Sequence, residues 1–202
     1  VVMALLGASW VSMWFFLNLY LQQILHFDPM ESGFALLPMT GLIMVMMLWM
    51  MPKLIGKLGT RKNMMAGLGL LAVGLTLFSL TPTANGNEDS NAVFMVYVVP
   101  ASIVSALGMS LSYIPILTSA MSNAREGDMG IASGLVNTTY QIGSALGLAI
   151  MVSVSTLHSE SLARMGTSLL DAINNGFHMA FIGGAIVSVV ASIVALIYIK
   201  TK

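Results

Sequence analysis

The chain is a succession of long apolar runs interrupted by short polar stretches. Uncharged segments cover residues 1–27, 32–52, 63–87, 90–124, 129–159 and 172–199. Each is long enough to hold the roughly 20 apolar residues that a helix needs to cross a bilayer. The pattern predicts helix 1 over 3–25, helix 2 over 33–52, helix 3 over 63–81, helix 4 over 93–121, helix 5 over 130–156 and helix 6 over 178–199. The connections alternate in character. Residues 26–32 and 82–91 carry acids and no Lys or Arg, whereas 53–62 holds four basic residues and the short 122–129 holds Arg125, Glu126 and Asp128. The stretch 157–177 reads as the longest connection. Within it Leu162, Met165, Leu169 and Leu170 fall at helical spacing, so the middle either lies along the membrane surface or forms an extended polar loop.

Charge turns this pattern into a topology. If six helices alternate in direction, Lys53, Lys57, Arg61, Lys62, Arg125, Lys200 and Lys202 share one face, and only Arg164 falls on the other. Basic residues are retained on the cytoplasmic side, which puts both ends of the segment in the cytoplasm of a multi-pass plasma-membrane protein.

Composition agrees. The chain is 57% hydrophobic and 8% charged, against about 25% charge in soluble domains. A net charge of zero gives no reason to expect nucleic acid as a partner. The chain has no cysteine, which excludes disulfides and thiolate chemistry. His26, His158 and His178 are far apart, without metal-ligand spacing. No cofactor or catalytic constellation is expected. The chain opens at Val1 inside an apolar run, and it is expected to be one six-helix piece of a longer polypeptide.

Candidate chemistry is confined to uncharged polar positions, because no Asp, Glu, Lys or Arg sits at the centre of a span. Intramembrane ionisable residues are the usual proton relays, so a coupling carboxylate is expected elsewhere in the parent chain. Trp14, Asn18 and Gln22 repeat every four residues on one face of helix 1. Ser133, Asn137 and Gln141 do the same on helix 5, flanked by Thr138 and Ser144. Amides in hydrocarbon need partners, so these stripes either line a substrate cavity or hold helices together. Trp14, Asn18, Gln22, Asn137 and Gln141, with Tyr113 on helix 4, are the candidate cavity residues. Gly130-x-x-x-Gly134 and Gly143-x-x-x-Gly147 on helix 5 are expected to let another helix approach closely. Pro100 and Pro115, with Gly108 between them, are expected to kink helix 4. Five methionines between Met44 and Met51 surround Trp49 and suit a lipid-facing surface.

The loop Pro52-Lys-Leu-Ile-Gly-Lys-Leu-Gly-Thr-Arg-Lys62 resembles the cytoplasmic motif Gly-x-Leu-x-Asp-Arg-x-Gly-Arg-Arg of the major facilitator superfamily. Leu54, Lys57, Gly59, Arg61 and Lys62 keep its character, while Pro52 replaces the first glycine and Gly56 the acid. The run Gly130-Ile-Ala-Ser-Gly-Leu-Val-Asn-Thr-Thr-Tyr-Gln-Ile-Gly-Ser-Ala-Leu-Gly-Leu-Ala149 is similar to the Gly-x-Ala-Ser-Gly-Leu-x-Asn-Thr-x-Arg-Gln-x-Gly-Gly-Ala-x-Gly stretch of the 14-span drug:proton antiporters of the EmrB/QacA type. Tyr140 stands where that stretch has Arg, and Ser144 where it has Gly. Tyr20–Pro38 and Gly176–Phe181 resemble the start and end of that family's C-terminal half.

The resemblance implies an all-α fold, six helices in a 3+3 inverted repeat, forming the C-terminal bundle of a transporter. It implies alternating access against an N-terminal half, with helices 1, 2, 4 and 5 facing the cavity and helices 3 and 6 outside. It also implies export of lipophilic or cationic small molecules in exchange for protons, which the membrane potential drives inward. The same fold with a lipid, sugar or other metabolite as cargo is the alternative. A six-span intramembrane serine protease built on Ser133 and His178 is a third idea, and the predicted topology sets those two residues near opposite membrane faces.

Overall fold

Among the described residues the apolar runs fold into six long helices, joined by connections whose residues stop one helix and start the next. In this computed structural model the described residues are 1–83, 90–122, 124 and 126–198. Glu88, Asp89, Arg125, Lys200 and Lys202 lie outside them. Helix α1 runs Val2–Leu19 and ends in a π turn, Tyr20–Ile24. Helix α2 runs Pro29–Val45, a π turn Met46–Met50 and a last segment Met51–Leu58. Helix α3 is Thr60–Phe78. Helix α4 comprises Ser90–Val93, a π turn Phe94–Val98 and Val99–Met121. Helix α5 is Met129–Arg164 and α6 is Leu169–Tyr198. Five of these are long and apolar enough to cross a membrane. The sixth, α3, opens with the polar turn Thr60-Arg61-Lys62-Asn63, and it is held between α4 and α6.

The ends are locally encoded. Asp28 caps α2, accepting from Met30 N at 3.3 Å, while Glu31 Oε2 accepts from Asp28 N at 3.0 Å. With Pro29 at the first helical position this is a capping box. His26 turns the chain out of α1 with φ +57°. Two of the three π turns lie just before a proline, Pro52 and Pro100. Proline cannot donate to the carbonyl four residues back and its ring crowds that carbonyl, so widening the preceding turn relieves both problems. The helix expected to kink at Pro100 and Pro115 therefore widens ahead of the first and passes through the second unbroken.

The long connection expected at 157–177 is a difference. Helix α5 continues to Arg164 and α6 begins at Leu169. Nothing in Leu157–Arg164 breaks a helix, and Glu160 and Arg164 pair across one turn at 3.4 Å. The stop is Gly166 at φ +90°. Thr167 N donates to Leu162 O at 3.2 Å and Gly166 N to Ala163 O at 3.1 Å, which is the Schellman pattern. Ser168 Oγ then accepts from Asp171 N at 3.2 Å and starts α6.

Small residues set the packing. A side chain at Gly143 or Gly147 would fall on the backbone of Ala4 or Ala8. This constant offset of 139 makes α1 and α5 parallel neighbours in direct backbone contact. Gly130 and Gly134, expected to serve the same purpose, have nothing within 4 Å. The second seam is antiparallel: Gly67 meets Ser112, Gly74 meets Ser105, and Gly108 meets Leu71. Ser9 Oγ donates to Gly184 O at 3.0 Å and ties α1 to α6. The rings of Phe16, Phe78, Phe177 and Phe181 fill the junction of α1, α3 and α6, with Phe78 and Phe181 stacked at 5.3 Å.

The pairing has an internal symmetry. Exchanging α1-α2-α3 with α4-α5-α6 turns the α1–α5 contact into α4–α2, and α1–α6 into α4–α3. It leaves α3–α6 unchanged, and all five contacts are present. That is the signature of a 3+3 repeat, with the shared partners α3 and α6 packed on each other. The repeat is imperfect, because α5 packs extensively on α6 whereas α2 meets α3 through its last segment.

Candidate functional site

Helix α1 is buried on all sides but one. Met3, Leu6, Trp10, Met13, Phe16, Leu17, Tyr20 and Leu21 point into the bundle. Trp14 and Asn18 are half-buried and Gln22 is exposed, so the polar stripe lies along the open face. Trp14 meets Trp10 edge-on at 6.1 Å. Asn18 Nδ2 donates to Trp14 O at 3.2 Å, which fixes the side chain along the helix with its carbonyl oxygen pointing elsewhere.

On α5, Ser133, Asn137, Thr138 and Gln141 are exposed, whereas Ser144 is buried and donates to Tyr140 O at 2.8 Å. Tyr113 of α4 is half-buried and packs edge-on against Tyr140 at 6.2 Å. Tyr140 in turn lies against Gly7. An aromatic pair thus bridges α4 to the α1–α5 seam, next to Gln141 in sequence.

The structure divides the six candidates into two groups. By the offset of the α1–α5 seam, Gln141 lies level with Val2. Asn18 therefore stands about 24 Å further along the axis, at 1.5 Å per residue. Tyr113, Asn137 and Gln141 sit toward the end that bears Lys53, Lys57, Arg61 and Lys62, and Trp14, Asn18 and Gln22 toward the other. The separation also removes the protease arrangement. Gly176 packs against Ser155, so Ser133 lies roughly 30 Å from the level of His178, where a nucleophile needs contact.

In the loop motif, Gly59 turns between α2 and α3 at φ +77°. Lys57 and Lys62 are exposed and Leu54 is half-buried. Arg61 Nη2 donates to Leu196 O at 2.6 Å in the last turns of α6. A cation at a helix C-terminus is favourably placed, and this contact links the loop to α6 although Gly56 stands at the acidic position.

Two features escaped the sequence reading. One is the Gly67/Gly74 and Ser105/Ser112 seam, which a seven-residue spacing of small residues on both helices encodes. The other is a polar clasp at the end opposite the lysines. Thr81 O accepts from His178 Nε2 at 2.7 Å and from Asn174 Nδ2 at 3.2 Å. Asn174 Nδ2 also donates to Thr83 Oγ1 at 3.0 Å, and Tyr20 OH to Pro82 O at 2.8 Å. The segment after α3 is thereby pinned to α1 and α6. Among the described residues no three of His, Asp and Glu gather as a metal site would require.

A helical bundle with an internal repeat and uncharged polar stripes on open faces suits a membrane transporter. The chain matches the Major Facilitator Superfamily over residues 1–148, and it belongs to that superfamily. It is 31% identical over 154 residues to the cephamycin export protein CmcT of Amycolatopsis lactamdurans, covering 76% of this chain and 30% of the relative. It is 29% identical over 192 residues to the puromycin resistance protein pur8 of Streptomyces alboniger, covering 93% and 37%. It is 29% identical over 153 residues to the tetracenomycin C resistance and export protein of Streptomyces glaucescens, covering 75% and 26%. The chain thus spans about a third of the length of these relatives.

Proposed function

We propose that this chain is the C-terminal six-helix bundle of a proton-coupled multidrug exporter that works by alternating access. The observation that carries the reading is the split polar wall. Tyr113, Asn137 and Gln141 stand toward one end of the bundle and Trp14, Asn18 and Gln22 toward the other, all uncharged and none fully buried. Such a wall offers amide and aromatic contacts at both ends of a path and tolerates many lipophilic cargoes. A substrate entering at the basic, cytoplasmic end would meet the first group, and one leaving would meet the second. The relatives named for export of, or resistance to, cephamycin, puromycin and tetracenomycin support a drug-like cargo. No carboxylate sits in the middle of a described helix, so the proton would be carried by the other half of the protein, which would also close the cavity.

The test is dye efflux from cells expressing the full-length protein, with and without a protonophore, repeated for Asn18→Ala and Gln141→Ala. Efflux that the protonophore abolishes, with both variants altering the drug profile at unchanged abundance, is the expected result. No efflux from protein confirmed in the membrane would transfer the fold to a metabolite or lipid cargo. Equal loss of protein in both variants would make the stripes packing elements.

A further inference from the structure

The lysines of the loop motif occupy an unusual place on the fold. The second span, Pro29–Lys57, is a continuous helix of 29 residues. At 1.5 Å per residue it is about 44 Å long, against about 30 Å of hydrocarbon. Its last turns therefore stand at headgroup level. There the segment Met51–Leu58 is two-sided. Met51 is buried and Leu54 and Ile55 are half-buried, while Pro52, Lys53, Gly56 and Lys57 are exposed. Lys53 and Lys57 are one turn apart on the outward face. A side chain at Gly56, between them, would meet nothing within 4 Å, so nothing shields the approach. The chain reverses at Gly59, and Lys62 follows, exposed, in the first turn of α3. No side chain caps that helix start.

Three exposed ammonium groups thus cluster around one corner. Arg61 is engaged with Leu196 O. The lysines have no carboxylate within ion-pair distance among the described residues, where Arg164–Glu160, at the far end, is the ion pair formed. Asp128, the acid described at the basic end, makes no such pair. With Gly56 in the motif's acidic position, no carboxylate among the described residues pairs with the corner's lysines.

We propose that this corner, Lys53, Lys57 and Lys62 around Gly56 and Gly59, binds the headgroups of anionic phospholipids. Charge, depth and accessibility match a phosphodiester at the bilayer surface. A neutral or zwitterionic headgroup gains little there, because it brings no net charge. Bound lipid supplies these lysines with counter-charge.

The test uses the full-length protein reconstituted in phosphatidylcholine vesicles doped with photoactivatable phosphatidylglycerol or photoactivatable phosphatidylcholine. Cross-linked peptides are mapped by mass spectrometry. Phosphatidylglycerol should label the 51–62 corner well above phosphatidylcholine, and the preference should fall about fivefold for each lysine neutralised. The triple Lys53→Gln, Lys57→Gln, Lys62→Gln variant should show no preference. The Lys→Arg triple should keep it and shows that the corner still folds, and Arg164→Gln should leave it unchanged. Equal labelling by the two lipids in the natural sequence, or an unchanged preference in the glutamine triple, overturns the proposal. So does loss of the preference to inorganic phosphate at constant ionic strength, which would assign the corner to a soluble anion.

Discussion

The α1–α5 seam offers the sharpest quantitative test of the packing. A methyl group at Gly147 would overlap Ala8, whose Cα would lie 2.5 Å from the new carbon. Relaxed carbon contacts are about 3.5–4.0 Å, so the helices must part by about 1 Å. A gap of that size forfeits a quarter to a half of each dispersion contact along the seam, and overpacking typically costs about 1–3 kcal/mol. Replacing a helical glycine by alanine returns up to about 1 kcal/mol through backbone entropy. Gly147→Ala should therefore destabilise by about 1–2 kcal/mol. Gly69→Ala on α3, which has nothing within 4 Å, keeps the entropic gain alone. The assay is thermal unfolding of the purified full-length protein in detergent, followed by size-exclusion chromatography. At about 2–4 °C per kcal/mol for a unit of this size, Gly147→Ala should lower Tm by several degrees and Gly69→Ala should hold or raise it. Equal shifts in the two variants would refute the claim that α1 and α5 meet backbone to backbone.

The clasp opposite the lysines should behave as a structural tie. Tyr20→Phe loses the hydrogen bond to Pro82 O while keeping its buried ring, and should cost at least about 0.5–1.5 kcal/mol in the same melting assay. Asn174→Leu abandons Thr81 O and Thr83 Oγ1 and should cost more. Asp28→Ala removes the α2 cap and should destabilise by about 0.5–2 kcal/mol, whereas Asp28→Asn should recover most of that. This chain contributes no cysteine, so single cysteines report topology once any cysteine elsewhere in the full-length protein is replaced. A membrane-impermeant maleimide should label Met165→Cys in intact cells and Lys57→Cys only after permeabilisation; the reverse would invert the proposed orientation.

The helices were legible because hydrocarbon imposes a length on an apolar run. Asn18 and Gln141 stood out because an amide is conspicuous in an apolar run. Their separation along the axis was not legible, because it depends on the register of the α1–α5 seam, and Gly143 and Gly147 announce a close contact without naming the partner. The extension of α5 to Arg164 was concealed by polarity: Ser159, Glu160 and Ser161 look like a loop when the membrane alone is considered, while the real stop is the backbone turn at Gly166. The π turns before Pro52 and Pro100 are a local answer to a missing donor, and hydropathy carries no trace of it. The clasp of Thr81, Asn174 and His178 joins residues more than ninety positions apart, beyond the reach of any periodic pattern.

The glycine seams also say where the bundle can bend. Backbones in contact at Gly143 and Gly147, and again at Gly67, Gly74 and Gly108, cannot slide or tilt against each other without collision. Each pair is a stiff plank. The compliance lies in the widened turns at Tyr20–Ile24, Met46–Met50 and Phe94–Val98, where the regular hydrogen-bond ladder is already relaxed. The close seams hold α1 to α5 and α3 to α4, and the widened turns lie outside them, at the end of α1 and within α2 and α4.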